Sequence, residues 1–123
     1  MELDNLKKFL LEMDGVTEEI PFGPEALVYK VMGKMFALIA WDASPMRISL
    51  KCDPERAMEL RAVFEGVRGA YHFNKRHWNM VDLDGSVPIA EVLAMIEDSY
   101  DLVVKGLPKA KRDQLRGEPS ART

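Results

Sequence analysis

The sequence carries a single cysteine, Cys52, and two histidines, His72 and His77. One cysteine excludes an internal disulfide, and three soft ligands with no Cys-x-x-Cys or His-x-x-x-His spacing make no zinc site. Neither a metal nor a cofactor is expected. No apolar run approaches the roughly 18 to 20 residues that cross a bilayer, so no membrane partner is expected either. The opening segment, Met1 Glu2 Leu3 Asp4 Asn5 Leu6, lacks the basic start and apolar stretch of a secretory signal. With the lone cysteine, this points to a reducing, cytoplasmic compartment.

Catalytic signatures are also missing. Gly66 and Gly69 follow a helical segment instead of leading one, so there is no glycine-rich phosphate loop. Glu18 and Glu19 are adjacent on an extended segment and face opposite ways, and Asp82 and Asp84 flank a turn, so neither pair reads as an acid–base couple. Nothing marks Cys52 as activated by either histidine. No catalytic residue is assigned, and a non-enzymatic protein is expected.

What is present is a globular composition: 123 residues, 47% hydrophobic and 30% charged with both signs mixed. A chain of this length buries roughly two-thirds of its unfolded surface, enough for one core and one domain. The net charge of −3 hides an asymmetry. Residues 1–25 hold seven acids against Lys7 and Lys8, whereas residues 105–123 hold six bases against Asp113 and Glu118. Two readings fit: charges that complement helix dipoles, or a basic tail that contacts a polyanion.

Leu3, Leu6, Leu10 and Met13 at helical spacing, with Gly15 as C-cap, predict a first helix over about residues 2–14. Pro21, Gly23 and Pro24 punctuate an extended segment around 17–22. Alternation then predicts a strand over 26–31, with Leu27, Tyr29 and Val31 on one face. A second follows over 35–41, with Phe36, Leu38 and Ala40 on one face; Val31 Met32 Gly33 Lys34 is the hairpin turn between them. After the turn Asp42 Ala43 Ser44 Pro45, a strand over 46–52 sets polar Arg47, Ser49 and Lys51 against buried Ile48, Leu50 and Cys52. Asp53 and Pro54 supply the N-cap and first position of a helix over about 54–65, striped by Ala57, Leu60 and Phe64. A strand around 77–83, a turn at Asp84 Gly85 and a helix over 88–105 follow. That last helix buries Ile89, Leu93, Ile96, Tyr100 and Val103 in the expected stripe and stops at Gly106 and Pro108.

The expected fold is therefore α+β, an antiparallel sheet of about four to five strands with helices on one face. Residues 1–108 form the domain and residues 109–123 a basic, flexible tail.

The most unusual segment is Tyr71 His72 Phe73 Asn74 Lys75 Arg76 His77 Trp78 Asn79, dense in aromatics, cations and amides. In one reading the cations neutralise phosphate while aromatics and amides contact a ligand. In the other, Tyr71, Phe73 and Trp78 anchor the core, Asn74 builds a turn, and Lys75 and Arg76 face water.

The blocks Pro21 Phe22 Gly23 Pro24, Gly33 Lys34 Met35 Phe36 Ala37, Leu50 Lys51 Cys52 Asp53 Pro54, Asn74 Lys75 Arg76 His77 Trp78 Asn79, Asp84 Gly85 Ser86 and Ser99 Tyr100 Asp101 Leu102 Val103 occur in order over residues 2–112. As a set they resemble the MmcQ/YjbR family. The resemblance implies a fold like that of the frataxin-like CyaY group, described as a double-wing DNA-binding motif, and hence DNA as partner. Carried over by position, it implicates Lys34, Lys51, Asn74, Lys75, Arg76, His77 and Trp78. Lys109, Lys111 and Arg112 of the basic tail complete the candidate set. A protein-interaction or small-ligand module using the same loop is the alternative. The frataxin-like fold also suggests iron on Glu2, Asp4, Glu12 and Asp14, which otherwise read as a helix's solvated face.

Overall fold

The computed structural model describes residues 2–70 and 73–117. In chain order these form α1 (Leu3–Leu11), β1 (Val16–Glu19), β2 (Ala26–Val31), β3 (Lys34–Ala40), β4 (Arg47–Lys51), α2 (Pro54–Val63), β5 (Val67–Gly69), β6 (Trp78–Asp82), α3 (Ile89–Lys105) and α4 (Lys109–Leu115). The sheet is antiparallel throughout, in the order β1-β2-β3-β4-β6-β5. Among the described residues it has six strands, not the expected four or five. The additions are the edges: β1 replaces the loosely read extended segment, and β5 was not expected. At four and three residues, both are too short for periodicity to declare them, and pairing with β2 and β6 creates them.

Helices α1, α2 and α3 pack on one face of the sheet. Leu6 and Leu10 of α1, Ala57 and Leu60 of α2, and Val92, Met95, Ile96 and Val103 of α3 share a core with Tyr29, Ile39, Ile48, Leu50 and Val81. Helix α2 starts as its sequence directs: the Asp53 carboxylate accepts the Arg56 amide at 3.3 Å, and Pro54 needs no partner for its missing N–H.

The β2–β3 turn forms as expected. Met32 and Gly33 both take positive φ, 50° and 86°, as in a type I′ turn, whose twist matches the flanking strands. Just beyond it the register slips. Tyr29 pairs with Ala37 but Lys30 with Met35, so Phe36 is the extra residue of a β-bulge. The slip corrects the expected face of β3. Phe36 is buried, but after the bulge the core positions are Ala37 and Ile39, and Leu38 and Ala40 turn to the other side.

The bulge also explains a buried hydroxyl. Ser99 of α3, fully buried, donates to the Phe36 carbonyl at 2.6 Å and accepts the Lys51 amide at 2.9 Å. It thereby bridges two backbone groups where the β3–β4 ladder parts. Ser99→Ala would strand both, and is expected to lower the free energy of unfolding in urea by about 1 to 3 kcal/mol. Faster hydrogen exchange at the Lys51 amide would accompany the loss; unchanged stability and exchange would show that the bridge contributes nothing.

Two expectations about helices need correction. The buried stripe of α3 is Val92, Met95, Ile96, Ser99 and Val103; Ile89 is exposed, and Leu93 and Tyr100 are half-buried. The apolar arc of α3 is wider than the sheet beneath it, so apolarity alone does not locate the centre of the contact. Residues 109–115 are not a loose tail but helix α4, whose Leu115 packs against the core. Gly15 permits this approach: its φ of +73° suits glycine, and a Cβ there would lie 2.4 Å from Leu115 Cδ1. Residues 118–123 lie outside the described chain.

Candidate functional site

Antiparallel order brings distant parts of the sequence to one end of the sheet. Lys34 opens β3, Lys51 closes β4 and Trp78 opens β6, with Lys51 directly opposite Trp78 in the ladder. The β2–β3 turn and the β5–β6 loop project from this same end. Helix α4 joins them there, since Leu115 reaches Gly15 and Gly15 lies beside Met32 of the turn.

The loop of residues 73–77 is built from its own sequence. Asn74 Oδ1 accepts the Arg76 amide at 3.0 Å, and the His77 amide donates to the Asn74 carbonyl at 2.9 Å, closing a turn with Lys75 and Arg76 at its tip. Asn74 is thus a turn builder. The rings of Phe73 and Trp78 stack across the base with centroids 4.9 Å apart. Trp78 is half-buried and stands outside the main core cluster, so the core-anchor reading does not describe it. Tyr71 and His72 lie outside the described residues.

Two residues that sequence reasoning passed over hold this loop. From α2, the Arg61 guanidinium donates to Asn79 Oδ1 at 2.7 Å and to the Lys75 carbonyl, and Asn79 donates on to the Ala57 carbonyl at 3.4 Å. Asn79 is buried, in phase with Val81 on the core side of β6. A polar residue in an apolar phase was the available signal, because a buried amide demands partners. Arg61 shows the same signal, one position after Leu60 on the inner side of α2.

Among the described residues Lys34, Lys51, Lys75 and Arg76 form no ion pair, whereas Lys7, Lys30, Arg68, Lys109 and Arg116 each hold a carboxylate. The α4 candidates differ among themselves. Lys109 is committed to Asp113 at 3.0 Å, Arg112 is half-buried with its Nε sealed from solvent, and Lys111 is exposed. Between α2 and the loop runs a cleft of about 320 Å³, lined by Pro54, Glu55, Met58, Arg61, Lys75 and Arg76. The helix layer is acidic by contrast: Glu12, Asp14, Glu97, Asp98 and Asp101 surround a cleft of about 530 Å³ between α1 and α3. Among the described residues no three His, Cys, Asp or Glu side chains are grouped to hold a metal ion.

Asp113 is nearly buried, and the Lys109 ammonium, then the Arg116 guanidinium, hold its carboxyl below the usual aspartate range. A lowered folded pKa stabilises the docked helix above the ordinary aspartate value and releases it as pH falls through the depressed one. Amides of residues 109–115 are therefore expected to lose hydrogen-exchange protection as pH is lowered from about 5 to about 2, ahead of the sheet. Simultaneous loss of α4 and sheet protection would contradict this.

Cys52 lies just beyond the β4–β6 ladder, its amide donating to the His77 carbonyl at 2.7 Å. Its thiol is nearly buried, and burial, then the nearby Asp98, push its pKa up, so it stays protonated at neutral pH. A protonated, enclosed thiol is a poor nucleophile.

Comparison with known proteins agrees with this architecture. The crystal structure of the Deinococcus radiodurans protein DR2400, a DUF419 domain, superimposes with a TM-score of 0.86 at 41% identity, covering 95% of this chain and 88% of that one. A Pseudomonas syringae crystal structure matches with a TM-score of 0.72 at 28% identity, over 83% of this chain and 98% of its own. The uncharacterized protein YbdF of Escherichia coli O157:H7 is 37% identical over 116 residues, 94% of this chain and 93% of that protein. The uncharacterized protein YjbR of Escherichia coli strain K12 is 32% identical over 115 residues, covering 94% and 98%. The YjbR family model spans residues 11–102, from the end of α1 to the last turns of α3 and across every strand, and the chain belongs to the YjbR family.

Proposed function

We propose that this protein binds DNA through the end of the sheet where the two hairpins project, the β2–β3 turn and the β5–β6 loop acting as a pair of wings. The observation that carries this reading is the set of four cations there, Lys34, Lys51, Lys75 and Arg76, none of them ion-paired with a carboxylate among the described residues. Cations at one end of a sheet favour an anionic partner, and phosphate contacts from lysine and arginine dominate nucleic-acid affinity. The net charge of −3 is a sum over the whole chain, and five of its acids, Glu12, Asp14, Glu97, Asp98 and Asp101, line the cleft between α1 and α3.

The test is a fluorescence-anisotropy titration of a labelled random-sequence duplex at several salt concentrations. Four phosphate contacts should give a slope of log affinity against log salt of about −3 to −4. Absence of any salt-sensitive binding overturns the reading. A second reading, a small anionic ligand, rests on the cleft between α2 and the loop. It would appear as saturable binding of inorganic phosphate or a nucleotide that the duplex does not displace.

A further inference from the structure

The face of the sheet turned away from α1, α2 and α3 has a composition that the helix-bearing face does not explain. By register, one row across it runs Glu19, Val28, Leu38, Ser49, Met80, Arg68, and the next runs Ala26, Ala40, Arg47, Asp82. Lys51 and Trp78 lie opposite one another at the winged end of the same face. Val28 is 1% exposed and Ser49 6%, yet neither belongs to the main core cluster. Expected to lie on a plain polar face of β4, Ser49 is instead buried. Leu38, Met80 and Trp78 remain half-buried.

Charge on this face is specific. Glu19 is paired with Lys30 at 3.0 Å and Asp82 with Arg68 at 2.8 Å, so both acids are already neutralised. Among the described residues Arg47 and Lys51 have no ion-paired carboxylate. Arg47 gives only its Nε to the neighbouring Pro45 carbonyl at 3.3 Å. The two cations sit at opposite ends of β4, about 13 Å apart for four residues of extended chain. Between and beside them lie Leu38, Met80 and the Trp78–Phe73 stack.

We propose that this face is a track for single-stranded DNA, which continues from the winged end along β4 with phosphates on Lys51 and Arg47 and bases against Met80, Leu38 and Trp78. The inference rests on the DNA-binding reading and narrows it. A duplex presents phosphates outward and would set them against Leu38 and Met80 with no gain. A single strand turns its bases toward an apolar or aromatic surface and its phosphates toward flanking cations, which is the pattern present. The acidic cleft between α1 and α3 leaves the helix layer unsuited to the same ligand.

The experiment compares a fluorescein-labelled 15-mer of thymidylate with a 15-base-pair duplex, using the full chain. A Trp41→Phe background leaves Trp78 as the sole tryptophan. The expected result is at least tenfold tighter binding of the single strand, with quenching of Trp78 fluorescence as bases stack. Arg47→Glu should weaken single-strand binding at least tenfold while circular dichroism stays that of the parent; its melting temperature should fall modestly, because the new carboxylate stands opposite Asp82. Leu38→Gln, which keeps the charge, should reduce the quench and the affinity together. Duplex binding equal to or tighter than single-strand binding, with Arg47→Glu without effect, overturns the track and leaves binding at the wings standing. If neither probe binds in a salt-sensitive way, the DNA reading falls and the track with it.

Discussion

Replacing Ile96 with Asp is expected to abolish cooperative unfolding, or to lower stability by several kcal/mol where a folded state survives. Ile96 has no solvent exposure, and its helix lies over β2, β3 and β4. A carboxylate there would enter the apolar cluster that Ile96 shares with Ile39, Ile48, Leu50 and other aliphatic residues. The control is Ile89→Asp, in the first turn of the same helix: Ile89 is exposed, so that variant should melt close to the parent. Thermal unfolding followed by circular dichroism separates the two. An Ile96→Asp protein that melts like the parent would mean that α3 presents a different face to the sheet.

The second large effect is functional. Changing Lys34, Lys51, Lys75 and Arg76 together to Ala should flatten the salt dependence of DNA binding by about three to four units of slope. Extrapolated from high salt to about 50 mM, that loss corresponds to at least about a hundredfold in affinity. Folding should be retained, because Lys34, Lys75 and Arg76 are exposed charges that contribute little to stability and Lys51 is only half-buried. The double variant Lys75→Ala, Arg76→Ala should show about half of the change in slope, one unit for each contact. Parent-like binding by the fourfold variant at every salt concentration would remove the wings from the interface. Attention would then move to Lys109, Lys111 and Arg112 of α4.

Much of the secondary structure was legible because it rests on local chemistry. Asp53 and Pro54 begin α2, Met32 and Gly33 turn the β2–β3 hairpin, and period-two alternation marks β2. The tip of the candidate site was legible for the same reason, since an Asn followed by two cations makes a turn that presents them. Illegible features depended on partners far away in the chain. Strands β1 and β5 are too short to signal themselves, and α4 read as a charged tail because its few apolar residues count only once Leu115 meets Gly15. Its internal ties, Asp113 to Lys109 and Arg116, are spaced for a helix but are too weak to establish one alone.

The sequence by itself determined the class of fold, the main helices and strands, and the family, because capping, turn and periodicity signals act over a few residues. Only the tertiary structure decided which residues lie together. The bulge at Phe36 reversed the expected faces of β3, since one extra residue flips every later side chain in a period-two strand. Ser99 became a bridge only because that bulge opened the ladder beneath it. Arg61 and Asn79, eighteen residues apart in the chain, met because α2 packs on β5, the neighbour of β6 in the sheet. Lys34, Lys51 and the loop that carries Lys75 and Arg76 came to one end of the sheet only because antiparallel pairing returns every second strand end to the same side. Charge placement is a long-range property, and a net charge of −3 summed along the chain contains no trace of it.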